Sequence, residues 1–183
     1  WDGYLKALET ATPQIAALAI TDYYTTTLYE EVLTYKAAGR LPGVSLIIPN
    51  IEARLDVAAK SGFVNLHLLL NPHPADHLVE VRRFLARLHF PAHNDRFACT
   101  PEDLARLGKI ANPAIQDNRA ALAHGATQFK VSFAQLKAAY AESGWAKANI
   151  LIGVAGGSGD GTAGLHQAAD QTLRQEIEKF AHF

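Results

Sequence analysis

Methionine is absent from the 183 residues, and cysteine occurs once. A single cysteine cannot form a disulfide within the chain, so a disulfide-stapled secreted scaffold is excluded and a reducing, cytoplasmic setting is expected. Nothing near Cys99 in sequence marks it as a nucleophile, a role that needs a histidine or cationic neighbour; it reads as a small buried residue. Without methionine, a chain that opens on Trp1 carries no translation start, and we read it as part of a longer polypeptide.

Charge of one sign is also missing. Lys and Arg number 17 against 18 Asp and Glu, a formal net charge of -1, which leaves no electrostatic footprint for nucleic-acid binding across the whole surface. A local basic strip is compatible with this balance, and Arg82, Arg83 and Arg87 fall on one expected helix, where pairing with Glu80 on a solvated face explains them. No apolar run approaches the ~20 residues of a membrane span, and the amino end is no signal peptide, so no membrane partner is expected. What is present is 49% apolar content, enough for one domain over residues 1–183 with a real core.

The hydrophobic pattern gives the order of elements. Residues 1–11 read as an amphipathic helix that Pro13 ends, and Ile15 to Thr21 is a continuous apolar run suited to a covered strand. Thr25-Thr26-Thr27 supplies cap chemistry for a helix that stops at Gly39. Two strands follow, Val44 to Glu52 and Val64 to Leu70, with room between them for an antiparallel pairing. A helix over residues 75–88 and a helical middle from His89 to Trp145 come next. Within that middle, Thr100-Pro101 marks one helix start and the Ser132-Phe133-Ala134-Gln135 capping box another. A last strand, residues 149–155, precedes the glycine-rich loop 156–164 and a closing helix with Leu173, Ile177 and Phe180.

Three apolar runs each deliver one metal-type ligand: Asp22, Glu52 and His67. At the carboxyl ends of strands in a β/α scaffold such groups converge in space. Glu52 after an apolar strand needs a cation, a metal or the sheet mouth; a salt bridge to Arg54 is the structural alternative. His67 alternates with Leu66 and Leu68, and reads either as a satisfied core histidine or as a metal ligand. The loop residues Gly157, Ser158, Gly159 and Asp160 offer backbone N–H groups for a phosphate, with Asp160 as turn former or further oxygen ligand. Gly159-x-Gly161-x-x-Gly164 also matches the dinucleotide fingerprint, although the chain position and the missing lysine disfavour both a Rossmann unit and a P-loop.

The elements Thr21-Asp22-Tyr23, Pro49-Asn50-Ile51-Glu52 and Asn65-Leu66-His67-Leu68 resemble the polymerase-and-histidinol-phosphatase (PHP) domain family. Trp1-Asp2-Gly3-Tyr4-Leu5, Gln128-Phe129-Lys130-Val131-Ser132-Phe133 and Val154-Ala155-Gly156-Gly157-Ser158-Gly159-Asp160-Gly161-Thr162 are similar to the PHP-like region of TrlF-type AAA-like ATPases. The resemblance implies an incomplete, distorted β/α barrel of the PHP type with a helical insertion in the middle. It also implies divalent metal ions (Zn, Mn or Fe) and hydrolysis of phosphoesters in nucleic acid or nucleotides. Glu52 falls on the family's bridging carboxylate, His67 on a histidine ligand, and Asp22 on the Asp of a Thr-Asp-His element whose histidine is here Tyr23. Gly156 stands where many members carry histidine, and the family's His-x-His and Asp-x-His elements are absent from these residues.

Two readings follow. One is a metal-dependent phosphoesterase domain of a larger ATPase linked to DNA repair or antiphage defence, with the ATPase domain of the same polypeptide and nucleic acid as partners. The other is a degenerate, non-catalytic PHP module that serves as a structural or regulatory platform.

Overall fold

A computed structural model describes residues 1–60, 62–154, 165–168 and 170–183. The chain runs α1 (Asp2–Glu9), β1 (Ala17–Tyr23), α2 (Thr27–Ala37), β2 (Leu46–Ala59) and β3 (Gly62–Leu70), then α3 (His77–Leu85) and a hairpin of β4 (His89–Ala92) with β5 (Asp95–Ala98). It continues through α4 (Pro101–Ala111), α5 (Asn118–Gln128), α6 (Phe133–Glu142), α7 (Gly144–Asn149), β6 (Ile150–Val154) and α8 (Gln171–Phe180).

The main sheet has four strands in the order β1-β2-β3-β6. β1 runs parallel to β2, while β2 with β3 and β3 with β6 are antiparallel. This is a mixed α/β fold on an open mixed sheet, which does not close on itself among the described residues. The antiparallel β2–β3 pairing follows from a connection of two residues, too short for the crossover that parallel strands require.

Period-2 alternation gives the sheet two unlike faces. Ile51, Ala53, Leu66, Leu68, Ile150 and Ile152 point to one side and are buried in the main core. Thr21, Tyr23, Asn50, Glu52, Arg54, Asn65 and His67 occupy the other, a polar face. A smaller core, with Leu5, Ile20, Val32 and Ile47, joins α1 and α2 to the first halves of β1 and β2. Tyr24 takes the left-handed conformation, φ 54, at a cost of about 1–2 kcal/mol, and this turn sends its ring into the core while Tyr23 stays on the polar face. The Tyr24 ring meets Phe129 at 4.8 Å in an edge-to-face contact.

Several local expectations hold. Gly39, φ 89, ends α2 in a Schellman arrangement in which Arg40 N donates to Tyr35 O and Gly39 N donates to Lys36 O, both at 3.0 Å. Thr100 and Ser132 cap α4 and α6 by accepting from Asp103 N and Gln135 N.

Others change. Gln135 does not complete a reciprocal capping box, because its side-chain oxygen accepts from His89 N at 2.7 Å. The helical middle contains the β4–β5 hairpin, whose Pro91 and His93-Asn94 turn interrupt any helix. β2 runs on through Ala59, so Glu52 is a mid-strand residue rather than a strand-end one. Arg83 pairs with Glu80 as expected, and Arg82 crosses to Glu30 at 2.7 Å.

α4 and α5 pack closely through two glycines. A Cβ at Gly108 would lie 1.9 Å from Ala121 O, and one at Gly125 would lie 1.8 Å from Leu104 O. Nearby, Cys99 is 3% exposed, and burial pushes its thiol well above the ordinary cysteine range. We expect its reaction with a disulfide reagent at pH 8 to be at least ~1,000-fold slower in the native protein than in denaturant, since both thiolate fraction and access are lost. Labelling within a few-fold of the unfolded rate would overturn that assignment.

Candidate functional site

The polar face is organised by cross-strand register. Tyr23 is paired with Glu52, Glu52 with His67, and His67 with Gly153, so one line across four strands carries the polar groups. Glu52 is 7% exposed. Its Oε1 accepts from the Tyr23 hydroxyl at 2.9 Å and from Asn65 Nδ2 at 2.6 Å. Burial, reinforced by donation to Glu52, raises the Tyr23 phenol above its usual range and keeps it a neutral donor. No cation is paired with Glu52 among the described residues. Arg54, two residues further along β2, sets its guanidinium 4.9 Å from the centroid of the Tyr23 ring instead.

A second relay lies beside the first. Asn50 Nδ2 is 2.8 Å from Thr21 Oγ1 and 3.0 Å from His67 Nδ1. Asn50 Oδ1 and Asn65 Oδ1 are buried without a hydrogen-bond partner among the described residues. The two ends of a carboxamide are nearly isosteric. Exchanging them at Asn50 turns the oxygen toward His67 Nδ1–H and Thr21 O–H and leaves His67 Nε2 as the free lone pair, the tautomer that metal-binding histidines take.

Glu52 and His67 are therefore brought together. Asp22 is not, which corrects its placement as a third metal ligand: alternation turns it to the opposite side of β1, where it is paired with Ile51. Its Oδ2 accepts from Thr25 Oγ1 at 2.5 Å and from Leu28 N at 3.1 Å. Asp22 thus supplies the capping bond for α2 that the threonine run was expected to give, while Thr26 donates to Glu30 Oε1 at 2.6 Å. No group of three or more His, Cys, Asp or Glu side chains able to share one metal occurs among the described residues. Gly157, Ser158, Gly159 and Asp160, with Gly156, Gly161 and Gly164, lie outside the described residues.

Gly153 has a steric role. A Cβ there would approach Phe183 Cε2 to 2.7 Å, so glycine admits the Phe183 ring onto the strand beside His67. Backbone bonds from His182 N to Ile152 O, 2.7 Å, and from Val154 N to Phe183 O, 3.1 Å, hold that segment along β6.

The residues that ligand spotting passes over are Thr21, Asn50 and Asn65. The signal for two of them is periodic: Asn50-x-Glu52-x-Arg54 and Asn65-x-His67 each place polar groups at every second position of an otherwise apolar strand. No helix among the described residues is long and apolar enough to cross a membrane. No protein-family model matches the chain, and neither a curated protein nor a solved structure similar to it was found.

Proposed function

We propose that the Glu52–His67 face is the centre of a PHP-type, metal-dependent phosphoesterase domain, with the open sheet as part of a distorted β/α barrel. The observation that carries this reading is a buried carboxylate, directly opposite a histidine, held only by neutral donors. Such a carboxylate calls for a positive partner, because an ionised group out of water without one is strongly disfavoured. Glu52 and His67 form a mixed oxygen and nitrogen set of the kind that takes Zn, Mn or Fe, and the unpartnered Asn65 Oδ1 beside them suits the same ions.

When bound, a divalent cation supplies Lewis acidity toward water and a phosphoryl oxygen. Tyr23 and Asn65 fix the orientation of Glu52, and the Thr21–Asn50 relay fixes the ring of His67. Nucleic acid or nucleotides as substrates, the larger ATPase setting, and a role in DNA repair or antiphage defence rest on the sequence resemblance. Elemental analysis and hydrolysis of bis(p-nitrophenyl) phosphate with added Mn²⁺ test the reading. The full-length protein, with flanking residues that supply the absent His-x-His and Asp-x-His elements, should bind metal and turn over, and its Glu52→Ala variant should do neither; equal metal content and activity in both would reject the assignment.

The second reading, a non-catalytic platform, is favoured by one feature. Both donors to Glu52 converge on the same oxygen, and one of them, Tyr23, stands where the family carries a histidine ligand. It predicts no stoichiometric metal in the intact protein.

A further inference from the structure

The cationic groups beyond Glu52 extend the polar face in one direction. Val131 N donates to Arg54 O and Asp56 N donates to Val131 O, so the segment after α5 runs alongside β2 with Leu55 bridged to Val131. Leu55 and Val131 are both fully buried. Arg54 and Lys130, each one residue earlier, therefore project from the opposite side, the face that holds Glu52 and His67. Arg54 lies about 7 Å from Glu52 by the rise of two strand residues.

Neither cation has a carboxylate partner among the described residues. Arg40, Arg82, Arg83, Arg106, Arg119 and Arg174 are ion-paired, while Arg87 and Arg96 share the lack of a carboxylate with Arg54; what sets Arg54 and Lys130 apart is that the bridged strands place them side by side on the polar face. Both are instead held by neutral groups. Arg54 stacks on Tyr23 and donates through Nη1 to Thr127 O; Lys130 Nζ sits 4.6 Å from the Phe63 ring centroid and 5.0 Å from that of Phe90. Ring faces and a carbonyl orient a cation without neutralising it as a carboxylate would, and most of the guanidinium's five N–H donors remain for another acceptor.

From this juxtaposition we infer that Arg54 and Lys130 form a phosphoryl-binding clamp beside the Glu52–His67 pair. The ligand class is a phosphate mono- or diester oxygen, which arginine recognises in bidentate fashion and lysine as a point charge. The assignment rests on the phosphoester reading for its substrate, yet it concerns anion binding and can be measured without turnover.

The test uses the 183-residue chain without added metal and two probes, inorganic phosphate followed by phosphorus NMR line broadening and a short fluorescein-labelled oligothymidylate followed by anisotropy. Arg54→Gln and Lys130→Gln should each weaken binding by about 10-fold, as loss of one charge-assisted contact predicts, and should reduce the salt dependence by about one counterion each. A response to phosphate alone assigns a single phosphoryl subsite, and a response to the oligonucleotide alone assigns a backbone track; both support the clamp. Because Arg54 also packs on Tyr23, melting curves accompany each variant, and Lys130→Gln serves as the independent arm. Wild-type affinity in both variants, or no binding of either probe to the wild type, would overturn the clamp. If Glu52→Ala loses metal and turnover while Arg54→Gln binds phosphate normally, the clamp fails and the metal reading stands. Loss of anion binding in Arg54→Gln from a protein that takes up no metal gives the reverse.

Discussion

Gly125→Ala should lower the melting temperature by roughly 4–8 °C. In helix propensity alone, alanine in place of glycine is favourable by about 1 kcal/mol. The packing opposes it: the new Cβ would stand 1.8 Å from Leu104 O and 2.7 Å from Leu104 C, backbone atoms of α4 that no rotamer change can move. Relief requires the α4–α5 pair to separate, which loosens the buried side chains Leu104, Leu107, Ala121 and Ala126 packed around it. Backbone overpacking of this kind falls at the upper end of the usual range, about 3 kcal/mol, so the steric term wins by about 2 kcal/mol. At 2–4 °C per kcal/mol for a chain of this size, calorimetry reads the difference directly. Gly3→Ala is the matching control. Nothing lies within 4 Å of its added Cβ, and it sits inside α1, so it should stabilise by about 0.5–1 kcal/mol. Equal effects of the two substitutions would show that α4–α5 proximity does not limit residue size.

Phe129→Ala should be more damaging still. The ring is fully buried, meets Tyr24 at 4.8 Å and Phe90 at 5.7 Å, and lies between Thr127, which accepts from Arg54, and Lys130. Truncating a buried phenylalanine costs about 3–5 kcal/mol in lost transfer energy and cavity formation, equivalent to roughly 6–20 °C. Phe129→Leu retains most of the volume and should cost under about 1.5 kcal/mol. A second readout follows from location. Phe129→Ala should also weaken phosphate binding, because the segment that presents Lys130 loses its anchor, and an unchanged affinity in a destabilised protein would separate the core from the clamp.

Sequence pattern carries the strands and helix caps well. Gly39, Thr100 and Ser132 act locally, with their bonds complete within a few residues, whereas the Thr25–Thr27 cap and the Gln135 half of the capping box give way to Asp22 and to His89 N. The apolar runs that become β1, β3 and β6 are legible for the same reason. Glu52 and His67 share a face because their register across β2 and β3 is one to one.

Asp22 shows where this stops. Its residue type suits metal binding, but the parity of one strand position turns it toward the Leu28 amide, and parity relative to a partner strand is a property of pairing rather than of type. The β4–β5 hairpin is hidden because four-residue strands give too short an alternation to outweigh the helical segments around them. The spacing offers Arg54 as a salt-bridge partner for Glu52, and the structure instead sends its guanidinium to Tyr23 and Thr127. Its contacts with Tyr23 and Thr127 depend on β1 and α5, which no local reading of β2 contains.

The strand order also divides the site unevenly along the chain. Tyr23, Glu52, Asn65 and His67 come from the contiguous stretch β1 to β3, whereas β6 reaches its place beside β3 only after the helices and the β4–β5 hairpin have been made. The polar relay is therefore local in sequence, while the core beneath it and the edge strand β6 are supplied by the later part of the chain. Because each doubling of a loop adds only about 0.6 kcal/mol of closure entropy, the mostly exposed connection 112–117 between α4 and α5 is where inserted structure would be tolerated without disturbing the Glu52–His67 pair.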